Sequence, residues 1–299
     1  MKRQTILDKI GNTPLLGLSH IKPENPNVSI YFKAEWCNPG GSVKDRPAYN
    51  MVCEAEKNNL FNKDKILIDS SSGNTAIAYA MICAAKSYRC LLVMPSNISE
   101  ERKKIVEAFG AGIVYTDPME GSDGAIREAH RLYEMDKDKY FMPDQYNNIN
   151  NPLAHKKSTA REIIEQTDGQ VTHFAACIGT SGTVMGTSLG LKEYNPDIKT
   201  YAIEPANPLH GLEGMKHMAS SIVPGIYKIE DLDGVISVQT EKAYDMVGQL
   251  AKKEGLLVGQ SSGAALVGAL ELSNQIDKGL IVSVFCDGGD KYLSTNLWD

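Results

Sequence analysis

From residue 65 to residue 142 the chain alternates short apolar runs with helical stripes. This alternation constrains the fold more than any other feature. Ile66-Leu67-Ile68 is a buried-strand run, Thr75 to Ser87 a nearly all-apolar helix, and Cys90-Leu91-Leu92-Val93-Met94 another strand. A helix from Ser99 to Phe109 follows, with Ser99 placed to cap it, Glu100 and Glu101 in its first turn and Gly110 past its end. Gly112 to Tyr115 reads as a strand, Asp123 to Asp136 as a helix and Tyr140 to Met142 as a short strand. Repeated strand–helix–strand units build a parallel sheet covered by helices.

An Asn- and Pro-rich loop, Asp144 to Pro152, interrupts the pattern and is the best domain boundary in the chain. Beyond it come a helix (His155 to Thr167), a strand (Val171 to Cys177), a helix (Thr183 to Tyr194) and a strand (Lys199 to Ile203). Residues 205–233 are irregular, and a loop of that length inside an α/β unit is usually functional or mobile. Then follow the strand Val235 to Val238, the helices Glu241 to Glu254 and Gly263 to Asn274, and the strand Leu280 to Phe285. Ahead of the first unit, Val28 to Lys33 alternates as a strand, and Arg46 to Asn59 has helical spacing, with Ala48, Met51, Val52 and Ala55 on one stripe. The expected fold is therefore α/β, two helix-covered units with mostly parallel sheets. In open sheets of this kind ligands bind outside the carboxyl ends of the strands, so the strand-to-helix turns are where function belongs.

Composition excludes several classes. A net charge of −6 argues against a nucleic-acid binder, which would carry a basic patch or stripe. The densest basic cluster, Arg102-Lys103-Lys104, follows Glu100-Glu101 and reads as a solvated helix face. No apolar run reaches the roughly 18 residues of a membrane span. No apolar h-region follows Met1-Lys2-Arg3-Gln4-Thr5, so the expectation is a cytoplasmic protein. The six cysteines are scattered without a C-x-x-C pair, which favours free thiols, and the six histidines lack ligand spacing, so no metal is expected.

Three turns share one chemistry: Ser70-Ser71-Ser72-Gly73-Asn74-Thr75, Gly179-Thr180-Ser181-Gly182-Thr183 and Gln260-Ser261-Ser262-Gly263. Each is small, hydroxyl-rich and placed at a helix start, where free N–H groups and the helix dipole suit an anion. Helix capping alone would explain one such turn, but three exceed what caps need. None is a Walker loop, and no G-x-G-x-x-G opens a βαβ unit. A fourth turn, Asn38-Pro39-Gly40-Gly41-Ser42-Val43-Lys44-Asp45-Arg46, holds a lysine at a set angle between Pro, two Gly and a helix-like run. A phosphate cradle with a loop lysine fits pyridoxal phosphate held by an imine. A phosphometabolite enzyme without that cofactor is the competing reading, and it predicts a colourless protein.

These residues resemble the cysteine synthase (O-acetylserine sulfhydrylase) and cystathionine β-synthase family of fold-type II pyridoxal-phosphate enzymes, whose fold is tryptophan synthase β-like. The match runs nearly end to end, from Ile10-Gly11-Asn12-Thr13-Pro14-Leu15 through the turns above to Gly289-Asp290-Lys291-Tyr292-Leu293-Ser294-Thr295. Gly214-Met215-Lys216-His217-Met218 with Val223-Pro224-Gly225-Ile226-Tyr227 is closer to the B-type cysteine synthases. The resemblance implies two three-layer α/β domains. Residues 1–45 and 150–299 would anchor the cofactor, and 46–149 would form a smaller, mobile substrate-binding unit. Lys44 would carry the Schiff base and then move the α-proton. Gly179, Thr180, Ser181, Gly182 and Thr183 would bind the phosphate, Asn74 the ring hydroxyl, and Ser261 would face the ring nitrogen. Ser71, Ser72, Gly73, Thr75 and Gln145 would hold the substrate carboxylate. The implied reaction is β-replacement on an activated serine through α-aminoacrylate, making cysteine from O-acetylserine or O-phosphoserine and sulfide. The alternative is consumption of L-cysteine with release of hydrogen sulfide, for which Asp231 or Asp233 is a candidate water-activating acid. A homodimer is expected on the same ground.

Overall fold

A computed structural model describes residues 4–71 and 73–298. The chain enters through β1 (Leu15–Gly17), which pairs antiparallel with β2 (Val28–Ala34), and continues into α1 (Asp45–Lys57). Next come β3 (Ile66–Ser70), α2 (Asn74–Lys86), β4 (Arg89–Pro95), α3 (Glu100–Ala108), β5 (Gly112–Thr116), α4 (Gly121–Met135) and β6 (Tyr140–Phe141). The return run is α5 (Asn150–Lys157), α6 (Thr159–Gln166), β7 (His173–Cys177), α7 (Gly182–Tyr194), β8 (Lys199–Pro205), β9 (Gly234–Val238), α8 (Thr240–Gln249), α9 (Gln260–Ser273) and β10 (Gly279–Phe285).

Among the described residues the strands form two sheets, ordered β1-β2-β10-β7-β8-β9 and β5-β4-β3-β6. Every pairing is parallel except β1 with β2. Strands covered on both faces read as continuous apolar runs, and β10 behaves this way. Its Ile281, Val282, Val284 and Phe285 are buried alternately in two separate cores. The core holding α9 lies on one face of the larger sheet, and that holding Val184, Met185 and Leu191 of α7 lies on the other. The smaller sheet has α2 on one face and Ala125 and Ala129 of α4 on the other. The α/β expectation, with mostly parallel sheets, holds.

Local boundaries differ from the sequence expectation in places, each with a physical cause. The helix expected over His155 to Thr167 is two helices, and the first starts at Asn150 inside the Asn- and Pro-rich loop. The break falls at Ser158 (φ −122°, ψ −68°). Its hydroxyl donates back to the Ala154 carbonyl at 2.7 Å and accepts from Arg46 Nη1 at 3.1 Å, a competition that bends helices. The helix expected over Glu241 to Glu254 ends as α-helix at Gln249 and finishes in a π-turn over Leu250–Glu254. Ser99 sits at the N-cap of α3, yet its hydroxyl donates to the Lys291 carbonyl at 2.7 Å and caps nothing. No helix among the described residues is long and apolar enough to cross a membrane.

One buried ion cluster ties α1 to the rest. Arg46 donates to Glu35 through Nε at 2.7 Å and Nη2 at 2.8 Å, and through Nη2 to Glu162 of α6 at 2.8 Å. Lys33, 0% exposed at the end of β2, donates to Glu162 at 2.6 Å, to Gln166 at 2.9 Å and to the Thr13 carbonyl at 2.8 Å. Burial alone would raise the Glu35 pKa, but Arg46, Thr13 and Lys33 together bring it down to about 2. A carboxylate depressed on folding stabilises the native state above its unfolded pKa, and that contribution is lost as the pH falls through the folded value. Acid should therefore erode stability between the ordinary Glu value of 4.5 and about 2. Arg46→Ala leaves Glu35 buried and unpaired, and urea unfolding at neutral pH should show a loss of about 3–5 kcal/mol. An unchanged midpoint would mean the cluster contributes nothing.

Candidate active site

Residues that follow β2, β3, β4, β6, β7 and β8 line a single cavity of about 810 Å3. Lys44 reaches it from the loop after β2. That loop is pinned at both ends. Asn38 accepts the Gly11 amide at 2.8 Å, and the Val43 amide bonds the Cys286 carbonyl, just past β10, at 2.8 Å. Lys44 occupies the N-cap position of α1 and is half-buried on the cavity wall. Its Nζ has no hydrogen bond or ion pair among the described residues. An amine so placed is free to form a covalent imine or to move a proton.

Across the cavity, β7 runs through Ile178 into the Gly179–Thr183 turn and α7. Ser181 takes a left-handed conformation (φ +69°) that is uncommon for a residue with a Cβ. Its hydroxyl is buried, with Ser181 2% exposed, and has no partner among the described residues. A Cβ on Gly179 would strike the Gly214 carbonyl, and one on Gly182 the Asn151 side chain. Asn151 donates to Thr180 Oγ1 at 3.1 Å, and Thr183 Oγ1 lies 3.3 Å from His155 Nε2. Burial, and Arg46 nearby, push the His155 pKa down to about 3, so the imidazole is neutral at pH 7. Free backbone amides at a helix start, an orphaned hydroxyl and glycines that admit close approach fit a phosphate group.

The turn after β3 faces the same space. The Ser71 hydroxyl oxygen accepts the Gly73 amide at 3.1 Å and the Ala76 amide at 2.9 Å, so it caps α2. Thr75 Oγ1 donates to Gln145 Oε1 at 2.9 Å, and Gln145 Nε2 donates to the Ser70 carbonyl at 2.6 Å. Asn74 stands on the cavity wall with its amide held by Asp287. Lys44, Asn74, Thr75, Gln145, Gly179 and Thr180 line the cavity. Ser71, Gly73, Ser181, Gly182, Thr183 and Ser261 are not among its described lining. Ser261 lies within the first turn of α9, which is helical from Gln260 and not a free loop, and its carbonyl accepts from Cys177 Sγ at 3.3 Å. Ser72 lies outside the described residues.

Two expected residues are elsewhere. Asp233 accepts the Thr200 amide at 2.9 Å and pairs with Lys192 at 2.9 Å and Lys199 at 3.2 Å, while the Asp231 carbonyl accepts from Lys192 at 2.8 Å. These partners sit at the end of α7 and the start of β8, opposite the carboxyl ends. Ten helical residues separate Gly182 from Lys192, about 15 Å of rise. Burial would raise the Asp233 carboxyl, but both lysines and the Thr200 amide hold it at about 2. Neither acid can activate water in the cavity.

Other residues at the site escaped sequence reading. Asp69 is fully buried, and burial pushes its pKa up to about 7. It accepts the Ser70 amide at 2.8 Å and the Gln145 amide at 3.4 Å, joining the end of β3 to the stretch after β6. Arg102, read as surface, is 2% exposed, stacks over Tyr292 at 4.3 Å and pairs with Glu213 at 2.6 Å. Lys216 pairs with Asp123 at 2.8 Å. Glu213 and Lys216 lie in the irregular 205–233 stretch, which has no period to betray them.

Comparisons with known proteins agree with this geometry. The family model described as pyridoxal-phosphate dependent enzyme matches residues 6–287. A cysteine synthase of Aquifex aeolicus is 51% identical over 99% of this chain and 92% of its own length. Cysteine synthase B of Pseudomonas aeruginosa is 39% identical over 99% of this chain and 97% of its own. Among solved structures, a hydrogen sulfide-producing enzyme of Fusobacterium nucleatum superposes with a TM-score of 0.91 at 38% identity, covering 97% of this chain and 100% of that one.

The strained, unpartnered Ser181 gives a direct test of the cradle. Ser181→Gly relieves the left-handed backbone and removes a hydroxyl that inorganic phosphate would use. The variant should match or exceed the wild-type melting temperature without ligand and bind inorganic phosphate about tenfold more weakly by calorimetry. Equal phosphate affinity would remove Ser181 from the cradle.

Proposed function

The chain belongs to the family of pyridoxal-phosphate dependent enzymes, and on that premise we propose that it is a cysteine synthase acting by β-replacement. The observation that carries the reading is a lysine amine without a partner among the described residues, in one cavity with Gly179 and Thr180 of a helix-start turn whose Ser181 hydroxyl is buried and also unpartnered among them. Pyridoxal phosphate, when bound, supplies the electron sink that lets a proton leave the α-carbon and a group leave the β-carbon of an amino acid.

The chain's own residues do the rest. The amides of Gly179 to Thr183 and the Ser181 hydroxyl hold the phosphate at the start of α7. Lys44 Nζ would hold the cofactor and, as a free amine, would take the proton from the substrate α-carbon and return it to the same carbon. Asn74 contacts the ring hydroxyl and Ser261 the ring nitrogen. A hydroxyl facing that nitrogen donates or accepts weakly and leaves it without a full charge. Thr75, Gln145, Ser71, Gly73 and Ser72 hold the substrate carboxylate at the start of α2, where the dipole favours a negative group. O-acetylserine would lose acetate from its β-carbon and gain hydrosulfide there. The second reading, L-cysteine as donor with sulfide released, is supported by the likeness to the Fusobacterium enzyme.

The same proposal divides the chain into residues 1–45 with 150–299 and a smaller unit, 46–149, that closes over the substrate and keeps water out. Polar contacts cross the seam at many points, from the Arg46 cluster with Glu35 and Glu162 to Arg102 with Glu213, Lys216 with Asp123 and Ser294 with Glu101. A homodimer in the cytoplasm completes the proposal, and six free thiols suit a reducing compartment.

The purified protein should carry a visible absorption band with pyridoxal phosphate that Lys44→Ala abolishes, with turnover falling roughly a thousandfold or more. O-acetylserine should shift the band and sulfide restore it, with cysteine appearing. If L-cysteine alone shifts the band and sulfide accumulates, the second reading holds. A colourless protein in the presence of the cofactor would sink both.

A further inference from the structure

We propose that Lys291 and Asp287 are positioning residues for the cofactor ring, orienting the Asn74 amide and tethering it to the loop that carries Lys44. The inference rests on the reading of Asn74 as the ring-hydroxyl contact.

Lys291 lies in the 3-10 turn Gly289–Tyr292 after β10 and is 3% exposed. An ammonium has three donors, and all three are in use. Nζ donates to the Gly41 carbonyl at 2.7 Å, to the Gly40 carbonyl at 3.1 Å and to Asn74 Oδ1 at 3.2 Å. The two carbonyls belong to the loop just ahead of Lys44, and Asn74 opens α2 of the smaller sheet. One buried cation thus joins the two stretches that would meet the ring from different elements. Asp287 is 0% exposed, and its Oδ2 accepts Asn74 Nδ2 at 2.7 Å and the Tyr292 hydroxyl at 2.6 Å.

The amide orientation is forced by this chemistry. An ammonium only donates, and a carboxylate only accepts. Turning the Asn74 amide over would set its oxygen against Asp287 and its NH2 against Lys291. Nδ2 therefore faces Asp287 with one hydrogen. Its second hydrogen has no partner among the described residues, and Asn74 stands on the cavity wall. That hydrogen is the donor left for a ring hydroxyl. The ammonium at Oδ1 also polarises the amide, which strengthens the N–H as a donor. Charged neighbours of Lys291 are Asp287, Asp45, Asp290 and Arg102, so the cation sits among more acids than bases.

The test titrates pyridoxal phosphate into cofactor-stripped full-length protein and follows the visible band and the dissociation constant. Lys291→Met should bind about tenfold or more weakly and give a displaced band. In an Asn74→Ala background the same substitution should have almost no further effect, because Lys291 acts through Asn74. Asp287→Asn keeps the side-chain shape, frees the amide orientation and should change affinity and band in the same direction. It carries the test if Lys291→Met does not fold. Wild-type affinity and band in the variants would overturn the proposal. So would a Lys291→Met loss that persists in full without the Asn74 amide, since that marks a purely structural pin. If the wild type shows no Lys44-dependent band, the functional reading fails and takes this inference with it. A Lys44-dependent band that Lys291 and Asp287 leave unmoved sinks this inference alone.

Discussion

The salt bridges of Arg46 are the interaction on which the site depends. The Lys44 amine has no hydrogen bond or ion pair among the described residues, so its position is inherited from its backbone and its neighbours. Arg46, two residues on, is clamped between Glu35 after β2 and Glu162 of α6, and Lys33 closes the ring of charges. Two cations and two carboxylates cancel, which is the condition under which charges persist in a dry interior. The price is desolvation. The return is that the start of α1 cannot slide along the larger sheet.

The second constraint is the direction of the strands. All but β1 run parallel within their sheets, so each sheet has one edge of carboxyl ends where chains turn into helices. Both edges open on the same cavity. Helix starts bring backbone amides, and turns bring small residues, so an anionic ligand meets a polar wall to which Lys44, Arg102 and Lys216 add positive charge. The neutral His155 behind Thr183 adds none.

The contacts between the two sheets are of a different kind from those within them. Separate cores of apolar residues cover the faces of each sheet, and Leu7 from the start of the chain joins the one around α1 and α2. Across the seam stand the Arg46 cluster, polar pairs such as Arg102 with Glu213, and the Lys291–Asn74–Asp287 group. The buried Lys291 ammonium, with all three donors in use, joins the turn after β10 to the Lys44 loop and to the start of α2.

How much of this was legible beforehand follows from range. Elements with strong local periods, such as β3, α2, β4 and β10, stood within a residue or two of their observed ends. Misreadings arose where a tertiary partner overrode local preference: Arg46 drawing Ser158 into a break, Lys291 taking the Ser99 hydroxyl from α3, Tyr292 and Glu213 burying Arg102. Asp231 and Asp233 followed the irregular loop in sequence and so looked near the site, but the sheet carries them to its opposite end. The sequence alone determined the α/β class, the lysine turn and the hydroxyl-rich helix starts, because glycine, proline and hydroxyl residues act on their own backbone. Only the tertiary structure decided that the lysine turn and the turns after β3 and β7 share one cavity while Ser261 stays outside its described lining, that Asn74 has one forced orientation and that Asp233 stands apart. Those outcomes depend on groups 213 and 250 residues apart in the chain, Asn74 with Asp287 and Lys291 with Gly41, which no local pattern encodes.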